Sequence, residues 1–166
     1  MSSVVLGEAL PVLEIDDKGE MCLVNDDVTF EAWKTTSLKG KFRLIQHLAG
    51  KAEAKTINQA LLDEVKDSGY PRERFQTTTI INLNDAVFGT GTIVEAIAVN
   101  GKKRFPWTSV ILDRQGSFSS ALSLAKGSSA IILIDEDAKI RFFKDGPLSE
   151  SEIRDVLSII SECVTA

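Results

Sequence analysis

Few side chains in this chain of 166 residues have the chemistry to act, and their spacing limits what they could do. His47 is the sole imidazole. It sits at the C-terminal end of a largely apolar run, Phe42 to Leu48, interrupted by Arg43, Gln46 and His47 itself, and the C-terminal ends of strands are where α/β folds gather their sites. That makes it the best single candidate for proton transfer or ligand contact, beside the plainer reading of a strand histidine packed under a helix. Cys22 and Cys163 stand near opposite ends of the chain, which is neither a metal spacing nor a CxxC. They are either a long-loop structural disulfide or two free thiols on elements that never meet. A catalytic thiol would need a His or basic neighbour, and neither cysteine has one in sequence. One histidine argues against structural zinc. Ser128 or Ser129 could complete a Ser-His-Asp set with His47, but no nucleophile-elbow motif supports it. Gly89-Thr90-Gly91 lacks the third glycine and the acidic ribose ligand of a dinucleotide site, and reads as a lead-in to a helix. Phe105-Pro106-Trp107 reads as a core plug or turn, with Trp107 a possible binding anchor because tryptophan is enriched at hot spots. No cofactor is implied.

Composition sets the setting for these residues. The net charge is −5 and the longest basic cluster, Lys102-Lys103-Arg104, leaves no footprint for nucleic acid or anionic lipid. No apolar run approaches the ~20 residues of a membrane span. A chain of this length fits one domain covering residues 1–166, burying roughly 70% of its unfolded surface. The first ten residues carry no basic n-region and no useful apolar stretch, so the chain reads as cytosolic or as a processed form.

The elements that must position the candidates follow from pattern. Leu10 to Ile15 and Glu20 to Val24 read as a β-hairpin turning at Lys18-Gly19, and Val28 to Lys34 as an edge strand. Phe42 to Leu48 reads as a strand covered on both faces. Ala54, Ile57, Leu61 and Val65 recur at helical spacing, with Gly69 at the C′ position and Pro71 beyond. Phe75 to Leu83 is a β-branched strand. Thr92 to Val99 reads as a helix ended by Asn100-Gly101, Ser109 to Leu112 as a strand, and Phe118 to Leu124 as a short helix. Ala130 to Ile134 and Lys139 to Phe143 form a hairpin, and Ser149 opens the last helix with a capping box to Glu152. The order predicts a central mixed sheet with helices on both faces.

Two segments carry a resemblance. Leu38-Lys39-Gly40-Lys41, the apolar strand Phe42 to Leu48 and the turn Lys51-Ala52-Glu53-Ala54-Lys55 resemble the lead-in, strand and active turn of thioredoxin-like thiol oxidoreductases. Ala52 and Lys55 stand where that family has its two cysteines. Gly127-Ser128-Ser129-Ala130 through Asp135 resembles the family's segment bearing a cis-proline, with Ser129 in the proline's place. Gln46-His47-Leu48-Ala49-Gly50, Gln76-Thr77-Thr78-Thr79-Ile80, Pro106-Trp107 and Lys144-Asp145-Gly146 complete a likeness, over about residues 7–165, to the YtfJ-type branch of the thioredoxin-like superfamily.

The resemblance implies an α/β thioredoxin-like fold with an N-terminal β-hairpin, and a periplasmic address after removal of a signal peptide. It also implies a module that cannot exchange disulfides, because exchange needs a thiolate at a helix head and a resolving thiol three residues on. What remains is a binding module for a periplasmic protein, a peptide or a small ligand. Its candidate residues are His47, Gly50, Lys51, Ala52, Lys55, Trp107, Ser128 and Ser129, with Lys51 and Lys55 offering charge for an anion at the helix head. The competing readings are an enzyme, using Cys22 or Cys163 as a thiol or His47 in hydrolysis or group transfer, and a purely structural domain whose groove is closed.

Overall fold

A computed structural model describes residues 4–87 and 89–165, so the first three residues of the N-terminal stretch read above, with Phe88 and Ala166, lie outside the described residues. Seven strands form one sheet: β1 Glu14–Val24, β2 Asp27–Lys34, β3 Phe42–Ala49, β4 Phe75–Asn82, β5 Ser109–Asp113, β6 Ser129–Ile134 and β7 Ile140–Asp145. Their spatial order is β2-β1-β5-β4-β3-β6-β7. β3, β4 and β5 are parallel, while β1, β6 and β7 each join antiparallel. The helices are α1 Ala52–Ile57, α2 Gln59–Ser68, α3 Gly91–Arg104, α4 Ser117–Leu122 and α5 Glu150–Val164.

Both faces of the sheet are covered, and the alternation along β3 shows how. Ile45 faces a core layer with Ile80, Ile111, Ile132 and the α4 residues Phe118 and Leu122. Leu44 faces the opposite layer with Ile131, Leu133, the α2 residues Leu61 and Val65, and the α5 residues Val156, Ile160 and Val164. Every residue of β6 is buried, as expected of a strand with helices on either side. The last helix starts at the predicted cap: Ser149 accepts from the Glu152 backbone N–H while the Glu152 carboxylate accepts from Ser149. Gly69 ends α2 in the left-handed conformation, φ 63°.

Four boundaries differ from the sequence reading. The first hairpin turns at Asn25-Asp26, both left-handed at φ 51° and 69°, rather than at Lys18-Gly19. Two consecutive left-handed residues make the tight hairpin turn whose twist matches its strands. Gly19 instead lies inside β1, where the register with β2 shifts, and a Cβ there would sit 2.0 Å from the Glu31 carbonyl oxygen. The long helix breaks at Asn58, giving α1 and α2. α3 runs through Asn100-Gly101 to Arg104, and the Phe105 N–H closes on the Gly101 carbonyl at 2.9 Å. α4 stops at Leu122, because Ser123 turns left-handed at φ 55°.

Candidate functional site

Three backbone segments converge beyond the C-terminal end of β3. The Gly50 N–H donates to the Asn82 carbonyl at 3.0 Å, tying the end of β3 to the end of β4. The Ala49 N–H donates to the Ser128 carbonyl at 3.0 Å, tying it to the entry of β6. Gly50 has to be glycine: a Cβ would lie 2.9 Å from the Asn82 carbonyl oxygen and 3.1 Å from the Ala86 Cβ. The turn Gly50–Ala52, the segment after β4 and the loop at Gly127-Ser128 therefore form one surface.

Asp85 is the organising charge of that surface, and the sequence reading missed it. Its carboxylate accepts from the Gly127 N–H and lies 3.8 Å from the Lys51 ammonium. Lys51 is thus partly neutralised in place, which alters the expectation of a free anion-binding lysine. α1 has only six residues and its cap, Lys51, makes no side-chain capping bond, so the helix head adds little of its own. Ala52 and Lys55 are exposed in its first turn. No thiol stands there.

His47 lies beneath this surface, 3% exposed, its ring stacked on Phe118 at 5.5 Å with 18° between planes. Burial pushes its pKa down from 6.5 to about 4, and the nearby Asp85 carboxylate only partly offsets this. Its Nε2 has no hydrogen-bond partner among the described residues. A neutral, enclosed imidazole is poorly suited to act as a general base near neutral pH.

Ser129 is fully buried, and its hydroxyl accepts from the Asn58 side-chain amide at 3.0 Å. The same amide donates to the Gly146 carbonyl at 3.1 Å, and the Asn58 carbonyl oxygen accepts from the Leu148 N–H at 2.9 Å. Asn58 breaks the helix and joins α1, β6 and the lead-in to α5. Ser129 is therefore enclosed, whereas Ser128 remains partly accessible. Among the described residues every peptide bond is trans, including the one before Ser129.

Trp107 does not join this surface. It precedes β5, and its ring lies under the guanidinium of Arg72, which precedes β4, at 3.8 Å. Those are the N-terminal ends of the parallel strands, about 26 Å from the Gly50 turn at the usual rise of a strand this long. Gly89-Thr90-Gly91 leads into α3, the Thr90 N–H donating to the Val87 carbonyl at 2.9 Å. Cys22 and Cys163 are both free thiols, and burial followed by Glu31 and Glu20 pushes the Cys22 thiol up, opposite to what a nucleophile needs. A polar hollow of about 240 Å³ opens beside Asp85, between Asn82, Asn84 and the α4-side serines Ser119, Ser120 and Ser123. A larger one, about 520 Å³ between Ala9–Val12 and Thr35–Lys39, lies at the far end of β3, remote from these groups.

The family described as "Bacterial protein of unknown function (YtfJ_HI0045)" matches residues 4–163. The chain belongs to that family. Among its relatives, "Uncharacterized protein YtfJ" of Escherichia coli (strain K12) is 35% identical over 156 residues, spanning 94% of this chain and 85% of that protein. An "Uncharacterized protein" of Haemophilus influenzae is 39% identical with the same coverage. Solved structures give the fold. A thiol-disulfide isomerase from Corynebacterium glutamicum superimposes with a TM-score of 0.59 at 20% identity, covering 94% of this chain and 97% of that one. The exposed lipoprotein thioredoxin Etrx1 of Streptococcus pneumoniae gives 0.53 at 17% identity, covering 90% and 99%. This YtfJ-family chain has the thioredoxin-like fold and no disulfide-forming cysteine pair.

Proposed function

We propose that this YtfJ-family protein is a redox-silent thioredoxin-like module that binds a polypeptide or small ligand in the periplasm, through the surface between Gly50–Lys55 and Gly127-Ser128. One observation carries the proposal. The first turn of the helix after β3 presents Ala52 and Lys55 to solvent, beside the β6 lead-in that Asp85 and the Ala49–Ser128 bond hold in place. On this reading the two segments that flank a thioredoxin-type substrate site remain side by side, while no thiol stands at Ala52 or Lys55. The neutral His47 and the up-shifted Cys22 weigh against the enzymatic alternatives. The periplasmic address rests on the family resemblance.

An amide NMR titration with alkylated insulin B chain tests the binding claim. Alkylation removes thiol exchange, so only binding can move the signals. Shifts should concentrate at Gly50–Lys55 and Gly127-Ser128, and weaken in Lys55→Glu. Unchanged spectra at saturating peptide, or shifts confined to another face, would refute the proposed groove.

A further inference from the structure

The end of the sheet opposite the Gly50 turn carries a second unusual surface. Trp107 is 47% exposed, and its ring meets the Phe105 ring edge-on at 5.6 Å. Three cations lie over these two rings: Arg72 at 3.8 Å from Trp107, and Lys66 and Arg104 at 5.7 and 5.3 Å from Phe105. Among the described residues no carboxylate forms an ion pair with any of the three, although Asp67 and Glu73 adjoin Lys66 and Arg72 in sequence. Helix-end electrostatics favour Lys66 in the last turn of α2 and Lys102 and Arg104 in the last turn of α3, with the Lys102 ammonium donating to the Pro106 carbonyl at 2.9 Å and also to Thr108, but they do not account for Arg72. The result is a local cationic patch on a chain of net charge −5.

We propose that the Arg72–Trp107–Phe105 face docks an acidic polypeptide segment of a partner protein. Charge complementarity is the reason for this occupant. An incoming carboxylate meets guanidinium and ammonium groups already ordered on aromatic faces, so little side-chain freedom remains to be lost on binding. Arg and Trp are also the residue types that dominate binding energy at interfaces. The same stacking disfavours other anionic occupants. Nucleotide bases need free ring faces, and a bilayer needs an uncovered tryptophan to bury, whereas here the guanidinium covers the ring. This surface is independent of the groove proposed above, and either can fail without the other.

The probe is an acetylated decapeptide of Glu and Asp with two Phe, free of Trp and Tyr, so that the protein's own tryptophans report. Trp33 is buried at 4% exposure, which leaves Trp107 as the responsive fluorophore. The expected result is a saturable change in emission that weakens at least about tenfold in Arg72→Glu and in Arg104→Glu. Raising NaCl from about 50 to about 300 mM should also weaken it several-fold. Arg154→Glu, on the exposed side of α5, should bind as wild type, and a Lys/Arg counterpart peptide should not bind. Circular dichroism checks that each variant folds, and Lys66→Glu, which keeps Trp107 as the reporter, provides the reading if Arg72→Glu does not fold. The proposal is overturned by no saturable change, by binding that survives these substitutions, or by a blue shift with phosphatidylglycerol vesicles but none with the peptide.

Discussion

Acid should destabilise this protein through His47, and the size of the effect can be worked out from its surroundings. The imidazole titrates near 6.5 when unfolded and at about 4 when folded, because burial against Phe118 penalises the cation more than Asp85 stabilises it. Between those values the unfolded chain binds a proton that the folded one refuses, so stability falls as pH falls from 6.5 towards 4. Integrating that difference from pH 7 to pH 5 gives a loss of about 2 kcal/mol, rising to about 3 kcal/mol at pH 4. Asp113 works in the opposite sense, since burial pushes its carboxyl up, so the clean measure is a comparison. In His47→Leu the histidine contribution disappears while Asp113 remains. Urea unfolding at pH 7 and pH 5 should therefore show wild type losing about 2 kcal/mol more than the variant, near 1 M in midpoint for a chain of this size. Equal losses in the two proteins would mean that His47 is solvated or paired in the native state. Its assignment as a neutral element beneath the site would then be wrong.

Two further outcomes follow from the same geometry. Asn58→Ala should cost about 3 kcal/mol by thermal or chemical unfolding, because it strips partners from the buried Ser129 hydroxyl and from the Gly146 and Leu148 backbone; a loss below about 1 kcal/mol would contradict this bridging role. Cys22 and Cys163 should both be alkylated in non-reducing peptide mapping of protein made in an oxidising compartment, and a fully formed bridge between them would contradict the placement of β1 and α5.

The parts of the fold that could be read from sequence were those with redundant local signals. β6 carries the unbroken apolar run Ala130 to Ile134, β3 is largely apolar although interrupted by Arg43, Gln46 and His47, and Ser149 with Glu152 is a self-contained cap. Gly69 followed by Pro71 marks a helix end unambiguously. The misread boundaries were set by distant partners. Gly19 looks like a turn residue, yet it is required because the Glu31 backbone passes within a Cβ's reach. Asn58 sits at an ordinary helical position in sequence, and only β6 and the α5 lead-in give it a reason to break the helix. The candidate surface was half legible. Gly50, Lys51 and Ser128 meet there and His47 lies beneath, while Trp107 belongs to the far end and Ser129 is enclosed. Asp85 was missed because a single carboxylate after a strand has no signature of its own. The strand reading ran through Leu83, whereas β4 ends at Asn82 and a tight turn over Leu83–Asp85 follows, in which the Asn84 N–H donates to the Asn82 side chain at 3.0 Å.

The central claim, a thioredoxin-type site that has kept its frame and lost its thiols, is tested most directly by restoring them. Ala52→Cys with Lys55→Cys places two thiols three residues apart in the first turn of α1, where their Cβ atoms are neighbours. Closing so short a loop contributes about 2 kcal/mol at most, so the fold should tolerate the bridge without depending on it. The account predicts that the double variant folds, forms the 52–55 disulfide under mild oxidation and reduces insulin in the presence of dithiothreitol, while the unmodified protein accelerates nothing. Insulin reduction by the unmodified protein, or a folded double variant that never closes the bridge, would contradict it.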